Sequence, residues 1–112
     1  MAFRGDVSAL ILGALQAGPL HGYQIVRKIR ESGVAGKMTE GQIYPYLHRM
    51  EADGLVAAEW QTDTGNAPRR VYQLTERGLK ELDRQRSIFQ KFAAGVGSLL
   101  AFEQLEKETG NA

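Results

Sequence analysis

The sequence predicts a mainly α-helical fold with a small two-stranded β-wing, followed by one long C-terminal helix. Three amphipathic segments separated by glycine-containing turns fill the first half of the chain. Two strand-like segments joined by a connection rich in Gly, Asn and Pro come next, and a helix with an apolar stripe ends the chain. At 112 residues the chain has the length of one ordinary domain.

The first two helices are short and have clear boundaries. Helix one is predicted from about Val7 to Gln16, with Asp6 as its cap and "AGP" at residues 17–19 as its end. Helix two is predicted from about His21 to Glu31, with one apolar stripe. The stretch "SGVAG" at residues 32–36 is a turn.

The third helix has the most complete start signal. Thr39 followed three residues later by Gln42 forms a capping box. Pro45 lies inside this helix, where it removes one backbone hydrogen bond and predicts a local distortion. Helical spacing turns one apolar row inward and leaves an outward surface that consists of Gly41, Gln42, Pro45, His48, Arg49 and Ala52, with Tyr44 on its flank.

The wing is predicted as two strands over residues 55–61 and 69–75. The connection "TDTGNAP" is longer than a two-residue hairpin turn, and Arg69 and Arg70 follow directly at its base. A wing that contacts phosphate has use for such arginines. Strand alternation also leaves open that Arg70 instead forms a salt bridge with an acid such as Glu59.

The last helix is predicted from about Glu76 to Lys107, and residues 109–112 are predicted to be a disordered tail. Its apolar residues recur at near-heptad spacing. Gly95 and Gly97 predict a kink or a close helix contact near its middle. A helix of about 30 residues would be some 45 Å long, more than a small body can cover, which predicts packing against a second chain.

Composition excludes several classes of function. The chain has no cysteine, so it has neither disulfides nor thiolate chemistry, and it has only two histidines. No apolar run is long enough to cross a membrane, and we expect a cytoplasmic protein. No residues suggest catalysis, a metal or a cofactor.

Three helices followed by a hairpin with basic residues at its base describe a winged helix-turn-helix. In that geometry the third helix enters the DNA major groove with its first residues on the base edges. The formal charge of only +1 leaves an alternative open, a winged helix that serves as a protein-interaction module without its own operator. A small dimeric ligand-binding protein is a third interpretation.

Three motifs resemble the PadR-type transcriptional regulators: "GPLHGYQIVRKI" (18–29), "TEGQIYPYLHRMEADGLV" (39–56) and "APRRVYQLTERG" (67–78). The resemblance implies a dimeric repressor that binds an inverted repeat on double-stranded DNA through residues 1–75. It implies that residues 76–108 form the dimerisation helix of the homodimer. The DNA-binding residues that it implies are Tyr23, Thr39, Gln42, Tyr44, Pro45, His48, Arg49, Arg69 and Arg70.

The single C-terminal helix resembles that of the short members of this family. Some of these hold flat aromatic molecules between tryptophans of paired C-terminal helices, but the only tryptophan here, Trp60, lies in the wing. The aromatic and apolar residues of the last helix can therefore be either a pocket for a small aromatic or apolar effector or plain dimer core. These residues are Phe89, Phe92, Val96, Leu99 and Phe102.

Overall fold

The computed structural model describes residues 6–62, 65 and 67–100. The helices are α1 (Val7–Leu15), α2 (Gly22–Glu31), α3 (Glu40–Ala52) and α4 (Glu76–Leu100), and the strands are β1 (Leu20–His21), β2 (Val56–Gln61) and β3 (Arg69–Leu74). The end of the predicted last helix, with Phe102, and the predicted tail lie outside the described residues. The mainly helical fold with a wing, which we define as β2, β3 and their connection, is confirmed.

The helix boundaries follow from local signals. The Asp6 carboxylate accepts a hydrogen bond from the Ser8 amide at 2.8 Å, as expected of an N-cap. Gly18 has a φ of 148°, a backbone angle that residues with a side chain rarely adopt, and the chain changes direction here after the end of α1. The predicted capping box at the start of α3 is present, and α3 continues through Pro45 as one helix.

The sheet has one strand more than the sequence predicts. β1 pairs antiparallel with β3, with Leu20 opposite Tyr72 and His21 opposite Val71, so the strand order is β1-β3-β2. The β1 strand contains only two residues, too few for an alternating pattern in the sequence. It forms because its backbone pairs with that of β3. The consequence is that the start of α2 is attached to the wing.

One apolar core holds the three helices against the sheet. Ile11 of α1, Ile25 of α2, and Ile43 and Leu47 of α3 are completely buried, and Tyr72 of β3 is almost completely buried. Burying side chains of this size contributes about 1.5–3 kcal/mol each. The first half of α3 is therefore fixed through one face while its other faces remain exposed.

The helix α4 joins the core only through its first half. Gly78 and Leu82 are buried, and the Arg86 guanidinium donates a hydrogen bond to the Gln16 side chain at the end of α1. The helix continues without a break through Gly95 and Gly97. Leu99 is 88% exposed in the single chain. None of the helices in the described part of the chain is both long enough and apolar enough to span a membrane.

Candidate nucleic-acid interface

The start of α3 is exposed and tightly capped. The Gln42 side chain accepts a hydrogen bond from the Thr39 amide at 2.9 Å. Both residues are exposed, as the sequence predicts. The first turn therefore presents a fixed backbone and two polar side chains to a partner.

The remaining exposed residues of α3 lie on two sides of the helix. Tyr44 and His48, four residues apart, line a cleft of about 910 Å³ between the start of α2, α3 and the base of the wing. Gln42 and Pro45 lie on the other side, next to the turn that precedes α3. Arg49 is also exposed. All of the predicted α3 residues are thus accessible, but they do not form a single cluster.

Tyr44 is held against α2 by a close approach. A Cβ atom on Gly22 would lie 2.9 Å from the Tyr44 hydroxyl, so only glycine fits at this position without a shift. The hydroxyl donates a hydrogen bond to the Glu40 carboxylate at 3.1 Å. Burial, and then this hydrogen bond, raise the pKa of Tyr44, so the phenol stays protonated at neutral pH. Tyr23 of α2 lines the same cleft and is 53% exposed.

Arg70 connects the wing to α3. Its guanidinium donates a hydrogen bond to the Glu51 carboxylate at 2.8 Å and lies 5.5 Å from the centre of the Trp60 ring. Arg70 therefore does form a salt bridge with an acid, as strand alternation left open, but the acid is Glu51 and not Glu59. Glu59 is opposite Val71 in the register, so its side chain lies on the other face of the sheet.

Arg69 is exposed at the opening of the cleft and contacts a residue that the sequence did not assign to the site. Its guanidinium lies 3.3 Å from Nε2 of His21. The sequence predicts the start of helix two at about His21, and His21 is the N-cap of α2. Its place beside Arg69 follows from the β1–β3 pairing, for which the sequence carries no signal.

The charges of the cleft are mostly paired within the protein. Arg27 forms an exposed ion pair with Glu31 at 2.9 Å, and Arg70 is bonded to Glu51. Arg69, in contrast, forms no ion pair with any carboxylate of the described residues. Of the arginines that line the cleft, Arg69 is therefore the one best able to bind an external anion.

The residues predicted for a dimer interface or effector pocket lie along the second half of α4. Phe89, Phe92 and Leu99 are exposed in the single chain, and Val96 is half-buried. Phe102, the fifth residue of this set, lies outside the described residues. No group of three or more His, Cys, Asp or Glu side chains that could hold a metal ion occurs within the described residues.

Comparisons with known proteins agree with this architecture. A model of the "Transcriptional regulator PadR-like family" matches residues 11–84. The transcriptional regulator Rv3488 of Mycobacterium tuberculosis is 33% identical over 93 residues, which cover 83% of this chain and 84% of that protein.

Solved structures give the same result. A PadR-like transcriptional regulator from Bacillus cereus (BC4206) has a TM-score of 0.77 and 26% identity, covering 86% of this chain and 92% of that chain. Bacillus subtilis PadR in complex with operator DNA has a TM-score of 0.63 and 29% identity, covering 70% of this chain and 45% of that chain. These relatives are transcriptional regulators, which are not enzymes.

Proposed function

The chain belongs to the PadR-like family of transcriptional regulators, and from this membership we propose that it is a repressor that binds an inverted-repeat operator as a homodimer. The observation that supports the proposal is the cleft. Exposed side chains of α2 and α3 line the cleft together with Arg69 of the wing. The helix α3, as the recognition helix, and the wing can therefore face the same DNA duplex.

We assign the two kinds of DNA contact to the exposed residues of α3, on both of its sides, and to the cleft beside it. Thr39, Gln42 and Pro45 at the exposed start of α3 are assigned to the major groove, with Tyr44, His48 and Arg49 further along the helix. Tyr23 and Arg69 are assigned to the phosphate backbone, which fixes position without reading sequence. Arg70, which the sequence also suggested, is assigned to holding the wing instead, because its guanidinium is already bonded to Glu51.

The dimer is proposed to form through α4. Leu99 is 88% exposed and Phe89 is 47% exposed in the single chain, and covering such side chains in a second chain is favourable. Residues 1–75 would form the DNA-binding head and residues 76–108 the dimerisation helix. Two heads would enter successive major grooves, about 34 Å apart. An apolar effector bound at the paired helices would alter this spacing and release the DNA. Such a repressor would act in the cytoplasm.

Fluorescence anisotropy with labelled duplex DNA tests the proposal. We expect tight binding to DNA from the promoter of this protein's own gene, weak binding to scrambled DNA, and affinity that falls steeply as salt rises. The variant Gln42→Ala should lose discrimination between the two duplexes. Equal, weak binding of the native protein to both duplexes would contradict an operator in that promoter and favour the protein-interaction module.

A further inference from the structure

His21 and Arg69 face each other at the edge of the cleft, and neither forms an ion pair with a carboxylate of the described residues. We propose that this pair is a phosphate-binding site that holds one backbone phosphate of bound DNA, and that His21 takes up a proton when the phosphate binds. The inference rests on the proposed DNA-binding function and adds to it a ligand for His21 and a dependence on pH.

The sheet places the two side chains together. His21 is opposite Val71 in the β1–β3 pairing, so Arg69, two residues before Val71, is its diagonal neighbour on the same face. The distance between the Arg69 guanidinium and the His21 Nε2 atom is 3.3 Å. His21 is also the N-cap of α2, so the pair lies at the end of the helix where its dipole favours an anion.

The chemistry of the contact depends on the protonation state of His21. The guanidinium can only donate hydrogen bonds, so a neutral His21 must accept at Nε2. A protonated His21 has donors on both ring nitrogens and can no longer accept from Arg69. Two adjacent donor cations are stabilised by an anion that accepts from both, and a phosphodiester oxygen pair has this property.

Among the residues that the structure describes, the other charges around His21 do not supply such an anion. Glu40 of α3 is the acidic residue that acts on His21, and its carboxylate already accepts the Tyr44 hydroxyl hydrogen bond. The remaining titratable groups that line the cleft with His21 are Tyr23 and Arg27 of α2, Tyr44 and His48 of α3, and Arg69, Arg70 and Tyr72 of β3. None of these side chains is a carboxylate, so Glu40 is the acidic side chain among the described residues that line the cleft.

The free protein disfavours the charged ring. Burial, and then the Arg69 charge, lower the pKa of His21 below its usual 6.5, and Glu40 opposes them. A bound phosphate would raise this pKa, so binding would take up a proton. DNA affinity should therefore increase as the pH falls from 8 to 5.5, by up to about tenfold per protomer for each unit by which DNA raises the pKa.

The experiment follows the two histidines of the native protein. Their ring Cε1 proton signals are titrated by NMR from pH 5 to 8, without DNA, with a duplex, and with inorganic phosphate, all at constant ionic strength. The variant His48→Asn lacks the His48 signal, so the signal that remains is that of His21. The DNA affinity of the native protein, His21→Asn and His48→Asn is then measured by anisotropy over the same range. Asparagine does not titrate and is a favoured N-cap, so His21→Asn keeps the start of α2.

We expect DNA to raise the pKa of His21, and we expect the pH dependence of affinity to be clearly smaller in His21→Asn than in the native protein and in His48→Asn. An unchanged His21 pKa on DNA, or an undiminished pH dependence in His21→Asn, would overturn the proposal. A rise of the His21 pKa with inorganic phosphate that DNA does not produce would overturn the assignment to the DNA backbone.

The proposal of a phosphate site and the proposal of an operator can be refuted separately. Phosphodiesters are present in every duplex, so the pH effect should appear with both promoter and scrambled DNA. Loss of sequence discrimination with retained pH dependence would remove the operator proposal and leave the phosphate site.

Discussion

Arg69 and Arg70 are adjacent in sequence but make different contacts, and exchanging each for glutamine should produce different defects. Glutamine keeps much of the length and polarity of the side chain and removes the charge. Arg69→Gln removes an exposed cation at the cleft. Arg70→Gln removes the hydrogen bond to Glu51 and the contact with the Trp60 ring. The two variants are matched controls for each other.

The magnitudes follow from these contacts. One phosphate contact contributes about 0.9 to the slope of log affinity against log salt, so Arg69→Gln should weaken that slope by about 0.9 per protomer. Between 50 and 200 mM salt this amounts to a factor of roughly 3–4 per protomer, or on the order of tenfold for a dimer. Arg70→Gln should leave the slope unchanged. Its cost is one partly exposed ion pair and one cation–π contact, together about 1–2 kcal/mol of unfolding free energy.

Two assays separate the variants. Anisotropy titrations at four or more salt concentrations give the slope, and urea unfolding followed by circular dichroism gives the free energy of unfolding. We expect Arg69→Gln to change the slope and Arg70→Gln to change the stability. If Arg70→Gln reduced the slope as much as Arg69→Gln, Arg70 would contact phosphate and its assignment to the wing would be wrong.

Three further predictions concern the scaffold and the proposed dimer. Pro45→Ala should raise the free energy of unfolding by about 1–3 kcal/mol in urea titrations, because it restores a helical hydrogen bond; a loss of stability would show that Pro45 fits its site better than alanine. Gly78→Ala should lower it by about 1–3 kcal/mol in the same assay, because a Cβ there would collide with the Leu55 carbonyl oxygen; native-like stability would contradict that packing. In sedimentation velocity, Leu99→Glu should lower the sedimentation coefficient toward that of the monomer. Ser98→Glu, which changes the exposed residue just before it, should leave the sedimentation coefficient unchanged. A Leu99→Glu variant that remains dimeric would place the interface elsewhere.

Much of the scaffold could be predicted from the sequence because its signals are local. The cap of α1 needs only Asp6 and the Ser8 amide, two residues apart, and the start of α3 needs only Thr39 and Gln42. Helical spacing also separated the buried Ile43 from the exposed surface of α3 correctly. Interactions within one turn or one helix face depend on few residues, and a sequence records them directly.

The partners of the site residues could not be predicted because they depend on tertiary contacts. Strand alternation indicated that Arg70 can meet an acid, but which acid depends on how α3 packs on the sheet, and the partner is Glu51. The contact between His21 and Arg69 spans 48 positions and exists only through β1. A strand of two residues has no pattern of its own, so its pairing appears only in the folded chain.

These tertiary contacts also constrain how an effector could release DNA. Arg70 connects the wing to α3, and β1 connects the wing to the start of α2, so the three elements that we assign to DNA contact are fixed to each other within the proposed head. A head built in this way favours release by a change in the spacing between two heads over distortion within one head. An effector should then weaken binding to a full inverted repeat while leaving the affinity of one head for an isolated half-site unchanged. Equal weakening on both DNAs would instead require the wing to move relative to α3, and the Glu51–Arg70 contact would have to break.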